Sequence, residues 1–253
     1  MNKKHPWYGV ILAMGLCTAE ADAALINSSV LNFNPGEIVC PIGGTAPDNC
    51  TYGVRNVLGS WFAMDRSGNG KVGVDEKVAL SASEGIRLGQ TQDASGSHTG
   101  LPDGSELPGI DNPWNYFGNT GMHKTVSPIV ISGGDDGTGD GIASLDFSGW
   151  TVTWNFIPAI SMGSGANTMA DNPEGIAVLN CSVDCSVGDT FILDYSATVP
   201  NDGTTSFGNV AYALHLEGQI SAVPVPAAVW LLGSGLAALF SCGYRRVLHH
   251  HAQ

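Results

Sequence analysis

The residues best suited to chemistry lie in a short polar segment between Asp65 and Glu76. Side chains that carry oxygen atoms stand at alternate positions, Asp65, Ser67 and Asn69, and a second carboxylate follows at Glu76. Hard cations such as Ca²⁺ take about six to eight oxygen ligands from carboxylates, hydroxyls, amides and carbonyls. The segment can supply such ligands, and it therefore predicts a cation site built from oxygen atoms.

This segment resembles the calcium loop of the EF-hand family, with Asp65 at its first position and Glu76 at its last. The resemblance implies that Gly70 permits the sharp turn and that a water replaces the missing side chain of Gly73. It also implies a set of five ligand residues, in which Lys71 contributes its carbonyl and Glu76 is bidentate: Asp65, Ser67, Asn69, Lys71 and Glu76. Because only two of these ligands are charged, we expect a weak Ca²⁺ affinity of about 10⁻⁴ to 10⁻³ M. The alternative is an acidic, glycine-rich turn that binds nothing.

The sequence before the loop predicts a short helix. Its apolar residues follow a helical spacing: Val54, Val57, Leu58, Trp61 and Phe62. Gly59 weakens this helix by about 1 kcal/mol. In the EF-hand family, a helix enters the loop in the same place.

The first 23 residues have the features of a signal peptide. Lys3 and Lys4 precede an apolar run that is too short to span a bilayer, and Ala21-Asp22-Ala23 fits the small-residue pattern of a cleavage site. We therefore expect residues 1–23 to be removed by signal peptidase, and the following body to be exported.

The end of the chain predicts a membrane helix. The segment Val223-Pro224-Val225-Pro226-Ala227 leads into an uncharged run that ends at Tyr244 and is followed by Arg245-Arg246. At about 1.5 Å per residue, the run is close to the thickness of the hydrocarbon core. The arginine pair favours a cytoplasmic end for this helix, so residues 247–253 would be a cytoplasmic tail.

This arrangement resembles the PEP-CTERM sorting signals, most closely their VPLPA variant, with Val225 in place of the usual leucine. The resemblance covers residues 223–246. It implies processing by an exosortase, transient attachment to the inner membrane, and a final place at the cell surface or outside the cell. It also implies an association with exopolysaccharide or biofilm matrix. An ordinary single-pass anchor is the alternative.

The sequence of residues 24–222, the body that we expect to be exported, predicts a mainly β fold. Apolar residues alternate with polar ones along two segments, Phe191 to Ala197 and Trp150 to Phe156, as expected for strands with one buried face. Short strands separated by clusters of Gly, Asn, Asp and Pro favour an antiparallel, sandwich-like body. His215 lies on the polar face of a further strand beside Glu217, where we expect a cross-strand pair.

Four cysteines fall in this body. An exported protein meets oxidising conditions, so disulfides are the expected state. We predict the local pairs Cys40–Cys50 and Cys181–Cys185, because the spacings do not fit a zinc site.

Composition and motifs argue against several classes of function. Nucleic-acid binding requires a patch of basic residues, and the formal net charge of −13 argues against it. The sequence has no H-E-x-x-H, G-x-S-x-G or P-loop motif. We therefore expect a non-enzymatic surface or matrix protein. A calcium-dependent carbohydrate-binding module is the alternative, and a polysaccharide hydrolase is a weaker one, since paired carboxylates are recognised by distance rather than by sequence.

Overall fold

The structure is a computed structural model of the 253-residue chain. It describes residues 28–45, 49–50, 56–80, 85–93, 98–99, 114–116, 119–134, 141–155, 157–162, 175–201, 203 and 205–223. The predicted signal peptide lies outside these ranges, as do the predicted sorting motif beyond Val223, the apolar run and the predicted cytoplasmic tail. In the described part of the chain, no helix has the length and apolar character needed to cross a membrane.

The described residues form a mainly β, antiparallel fold, as the sequence predicts. The strands of the first half are β1 (Ser29–Phe33), β2 (Glu37–Val39), β3 (Gly44–Thr45), β4 (Asn49–Cys50), β5 (Asn56–Leu58), β6 (Trp61–Met64), β7 (Lys77–Ala79), β8 (Ile86–Arg87) and β9 (His98–Thr99). Those of the second half are β10 (Trp114–Tyr116), β11 (Asn119–Thr125), β12 (Val130–Gly134), β13 (Ile142–Asp146), β14 (Trp150–Trp154), β15 (Ile157–Ser161), β16 (Ile176–Cys181), β17 (Thr190–Thr198) and β18 (Ala211–Ala222).

Two larger sheets organise these strands. A nine-stranded sheet runs β12–β13–β16–β17–β18–β1–β8, and β6 and β7 join it beside β18. A five-stranded sheet runs β10–β11–β14–β15, with β9 beside β11. The long strand β18 is central, because it pairs with β17 along one edge and with β6 and then β1 along the other.

The predicted alternation along β17 and β18 is confirmed. Phe191, Leu193 and Tyr195 are buried, whereas the side chains between them point to the outer face of the sheet. Trp150 and Val152 of the five-stranded sheet belong to the same apolar core. The inner faces of the two sheets therefore share one core, and burial of this apolar area is the main force that holds them together.

The predicted helix before the loop is wrong. Its apolar residues lie instead in β5 and β6, except Val54, which is outside the described residues. Gly59 interrupts the segment with a φ of +68°, a left-handed conformation that a helix does not contain. After this turn, Phe62 points into the core on one side of β6 and Trp61 lies half-buried on the other. Among the described residues, helical structure is limited to the 3-10 turn Val74–Glu76.

Candidate metal centre and adjoining surface

The predicted calcium loop is the connection of a β-hairpin. Strands β6 and β7 pair antiparallel, with Ala63 opposite Lys77, and residues 65–76 join them. The amide of Asp65 donates to the carbonyl oxygen of Ala211 at 2.9 Å, which fixes the start of the loop to β18. The loop is thus anchored at its base to the centre of the nine-stranded sheet, although a strand rather than a helix enters it.

Asp65 is buried at the base of the loop and turns its carboxylate toward the loop backbone. Its Oδ1 accepts hydrogen bonds from the Ser67 hydroxyl at 2.9 Å and the Gly68 amide at 2.7 Å. Amides of Asn69 and Gly70 also donate to this carboxylate. Burial opposes ionisation, but these hydrogen bonds outweigh it and lower the pKa of Asp65 below its usual 3.8. The carboxylate is therefore held in its charged form.

Glu76 closes the loop from the other end. It is buried, and its Oε1 accepts hydrogen bonds from the amides of Arg66 at 2.7 Å and Ser67 at 2.9 Å. Its Oε2 accepts one from the amide of Gly73 at 2.8 Å. Both carboxylates of the predicted ligand set thus point into the same small loop, and both accept from residues at its beginning.

The other predicted ligands lie on the outer turn of the loop. The amide of Lys71 donates to the side-chain Oδ1 of Asn69 at 2.8 Å, and Gly70 has a φ of +78° at the sharp turn. In the predicted ligand set, the atoms that would contact a metal are all oxygen atoms, which fits a hard cation such as Ca²⁺. No three His, Cys, Asp or Glu side chains converge as a possible metal site in the described ranges. The predicted ligand set contains only two acidic residues, and Ser67, Asn69 and the Lys71 carbonyl would supply the rest.

The outer face of the sheet beside this hairpin carries a charged and aromatic cluster. His215 of β18 places its Nδ1 2.6 Å from Oδ1 of Asp194 and its Nε2 3.1 Å from Oε1 of Glu217. A neutral imidazole has one N–H, so only the imidazolium donates to both carboxylates. The hydrogen bond to Asp194 has the largest effect on the pKa of His215, and burial lowers this pKa. Together with Glu217, Asp194 outweighs burial and raises the pKa of His215 above 6.5. The sequence predicted a cross-strand pair for His215 but did not identify the partner, Asp194, whose position depends on the strand register; Glu217 lies on the same strand as His215.

Trp61 extends this cluster toward the hairpin edge. Its ring stacks on that of His215, and the Nζ of Lys77 lies 3.7 Å from the Trp61 ring centroid. His215 approaches from β18 and Lys77 from β7, the strands on the two sides of β6. The indole is therefore contacted by side chains from both neighbouring strands. Burial lowers the pKa of Lys77, and the Asp194 charge partly offsets this effect.

A second polar group lies in the core, where sequence reasoning did not expect it. His123 is fully buried, and its Nε2 lies 2.7 Å from the hydroxyl of Tyr212, which also accepts from Nε1 of Trp150 at 3.0 Å. These side chains come from both sheets. Trp150 and Trp154 are buried, so they offer no exposed platform for a sugar.

One of the predicted disulfides is confirmed. Cys181 and Cys185 are bonded across the short connection that follows β16. Cys40 is also disulfide-bonded. The side chain of Cys50 lies outside the described residues, so the pairing Cys40–Cys50 stays a prediction.

Comparisons with protein-family models, curated proteins and solved structures gave no match to this chain. The resemblances to an EF-hand loop and to a sorting signal therefore rest on the residues that carry them.

Proposed function

We propose that this chain is an exported, non-enzymatic cell-surface or matrix protein whose β body is stabilised by Ca²⁺. The two ends of the sequence support export and exosortase processing. The core shared by the two antiparallel sheets supports a sandwich-like body, and the disulfide Cys181–Cys185 agrees with an oxidising compartment. Exopolysaccharide is the matrix partner that the sorting signal implies.

The observation that carries the calcium proposal is the burial of two carboxylates in one hairpin loop. Asp65 and Glu76 are 5% and 4% exposed, and the hydrogen bonds described above point both carboxylates into the loop. Buried carboxylates are costly unless they are paired, hydrogen-bonded or bound to a cation. A Ca²⁺ ion would replace part of this amide bonding with the oxygen set of Asp65, Ser67, Asn69, Glu76 and the Lys71 carbonyl.

Calcium titration of the full chain, purified in detergent, tests this proposal. We expect a saturable change in tryptophan fluorescence and a rise in melting temperature, with a midpoint of about 10⁻⁴ to 10⁻³ M. Trp61 lies four residues before the loop and is the expected reporter. The variants Asp65→Asn and Glu76→Gln should lose the response.

Asp75→Asn is the matched control, because it removes one negative charge from the same loop at an exposed side chain. This variant should respond to Ca²⁺ like the parent chain. No saturable response of the parent chain up to about 10 mM Ca²⁺ would reduce the loop to an acidic turn.

The sorting proposal needs a separate experiment. Expression in a host with an exosortase, followed by cell fractionation and mass spectrometry, should recover a surface form without Arg245 and Arg246. The double variant Pro224→Ala/Pro226→Ala should keep an intact C-terminus in the inner-membrane fraction. An intact C-terminus on the surface form of the parent chain would contradict exosortase processing.

A further inference from the structure

The outer face of the nine-stranded sheet has a depression beside Trp61. It measures about 300 Å³, and its lining residues include Trp61, Val178, Asp194, Ser196 and Ala213. The small side chains Ala213 and Ser196 lie opposite each other on β18 and β17, and they leave space between larger neighbours. The Asp194 side chain is 61% exposed at the edge of this space.

A second depression lies on the same face, further along β17 and β18. It measures about 420 Å³, and its polar lining residues are Asn34, Asn180, Ser182, Thr190 and Glu217. On β17, the lining residues of the two depressions are centred about four residues apart, which is roughly 14 Å in a strand. A ligand that occupies both must therefore be extended, because a single small ring cannot reach across this distance.

The lining chemistry is that of a site for hydroxyl groups. Side-chain amides, hydroxyls and carboxylates supply both donors and acceptors, and Trp61 and Val178 supply an apolar edge. The chain as a whole carries a net charge of −13, which disfavours an anionic ligand, and at this surface the charges of Asp194 and Glu217 are paired with His215. We propose that these two depressions form one binding groove for a neutral oligosaccharide chain.

The groove and the calcium loop share a hairpin. Trp61 lines the first depression and lies four residues before Asp65. Lys77 directly follows Glu76. Order in the loop therefore fixes the pairing of β6 with β7 and the position of Trp61 over His215. The groove binds its ligand more tightly when the loop holds Ca²⁺. This last step rests on the proposed calcium loop, whereas the groove itself does not.

Calorimetric titration of the full chain tests the groove, in a non-glycosidic detergent that cannot compete as a sugar. The probes are cellohexaose, mannohexaose and xylohexaose, with a hexameric alginate as the anionic probe, each with Ca²⁺ or with EDTA. We expect at least one neutral probe to bind and the alginate not to bind. Failure of all three neutral probes, or preferred binding of alginate, would overturn the groove proposal.

Two variants locate the site. Ser196→Tyr fills the first depression and Asn180→Ala removes an exposed amide from the second, and each should weaken binding roughly tenfold or more. Ser132→Tyr makes the same replacement at an exposed position of β12 outside both depressions, and it should bind like the parent chain. Melting temperatures of all three establish that they are folded. Equal binding by Ser196→Tyr and the parent chain would overturn the proposed location.

The titrations with Ca²⁺ and with EDTA separate the groove proposal from the calcium-loop proposal. Binding that weakens in EDTA and in Glu76→Gln supports the coupling between loop and groove. Sugar binding that is equal in all these conditions keeps the groove and removes the coupling. A calcium response without any sugar binding keeps the calcium loop and removes the groove.

Discussion

The imidazole of His215 stacks on the indole of Trp61, with ring centroids 5.4 Å apart and planes inclined by 17°. The same imidazole contacts Asp194 on β17 and Glu217 on its own strand. His215 therefore links three neighbouring strands on the outer face of the sheet. Because only the imidazolium donates to both carboxylates, this link depends on protonation.

The first prediction concerns pH. Since the pKa of His215 is raised above 6.5 in the folded chain, its contribution to stability is fully present below about pH 6.5 and is lost as pH rises through the folded pKa. Trp61 fluorescence should change over the same range above pH 6.5, because the two rings are in contact. Urea unfolding at about pH 6 and pH 9 measures the difference in stability.

Asp194→Asn should move the fluorescence transition toward lower pH, since Asp194 is the main cause of the raised pKa of His215. His215→Gln should remove the transition. A transition that persists in His215→Gln would assign it to another group.

The second prediction concerns the turn between β5 and β6. Gly59 has a φ of +68°, and a Cβ atom there would lie 2.7 Å from the carbonyl oxygen of Pro35. Gly59→Ala should cost more than the roughly 1–2 kcal/mol of a left-handed alanine, because backbone must also move. Gly203→Ala is the matched control, since Gly203 has a φ of +78° but no atom within 4 Å of the added Cβ. Equal losses in urea unfolding would show that the close approach has no energetic effect.

The segment around Gly59 was harder to predict from the sequence than the long strands of the sheet. Alternation along β17 and β18 continues over many residues and therefore predicts strands well. Between Val57 and Phe62 the apolar spacing fits a helix, but two short strands around a left-handed glycine give the same spacing. Propensity and periodicity cannot separate these two structures over so few residues.

The placement of Asp65 and Glu76 in one loop could be predicted for a different reason. Its residues are adjacent in sequence, so their spacing alone brings Asp65 and Glu76 to one loop. Asp194 and His215 lie 21 residues apart, and His123 and Tyr212 lie 89 apart. Their contacts depend on strand register and on the packing of two sheets, neither of which local patterns specify.

The third prediction concerns the buried contact between the sheets. The hydroxyl of Tyr212 serves both His123 and Trp150 in the core. Tyr212→Phe removes both hydrogen bonds and should cost about 1–3 kcal/mol of stability. Tyr195→Phe is the control, because the buried hydroxyl of Tyr195 makes one hydrogen bond, to the Met162 carbonyl oxygen. Urea unfolding should give a larger loss for Tyr212→Phe, and a smaller loss would contradict a role for this contact in joining the sheets.

The last prediction concerns the loop without calcium. The lowered pKa of Asp65 means that its contribution is present above about pH 3.8 and is lost as pH falls through the folded pKa. Asp65→Asn places an N–H₂ group among amides that donate to the carboxylate, so in EDTA it should cost about 1–3 kcal/mol at neutral pH. As pH falls further, through the lowered pKa of folded Asp65, the carboxylate is protonated in the parent chain, and the two stabilities should converge.

Urea unfolding in EDTA, at neutral pH and at the lowest pH at which the parent chain stays folded, measures this convergence. Asp75→Asn serves again as the control, because it changes the same charge at an exposed side chain and should follow the parent chain at both pH values. A difference between Asp65→Asn and the parent chain that is equal at both pH values would mean that the carboxylate charge does not hold the loop. The amides of Gly68 and Gly70 would then be stabilised as well by a neutral side-chain acceptor as by a carboxylate. A charged cation ligand at the base of the loop would not be required.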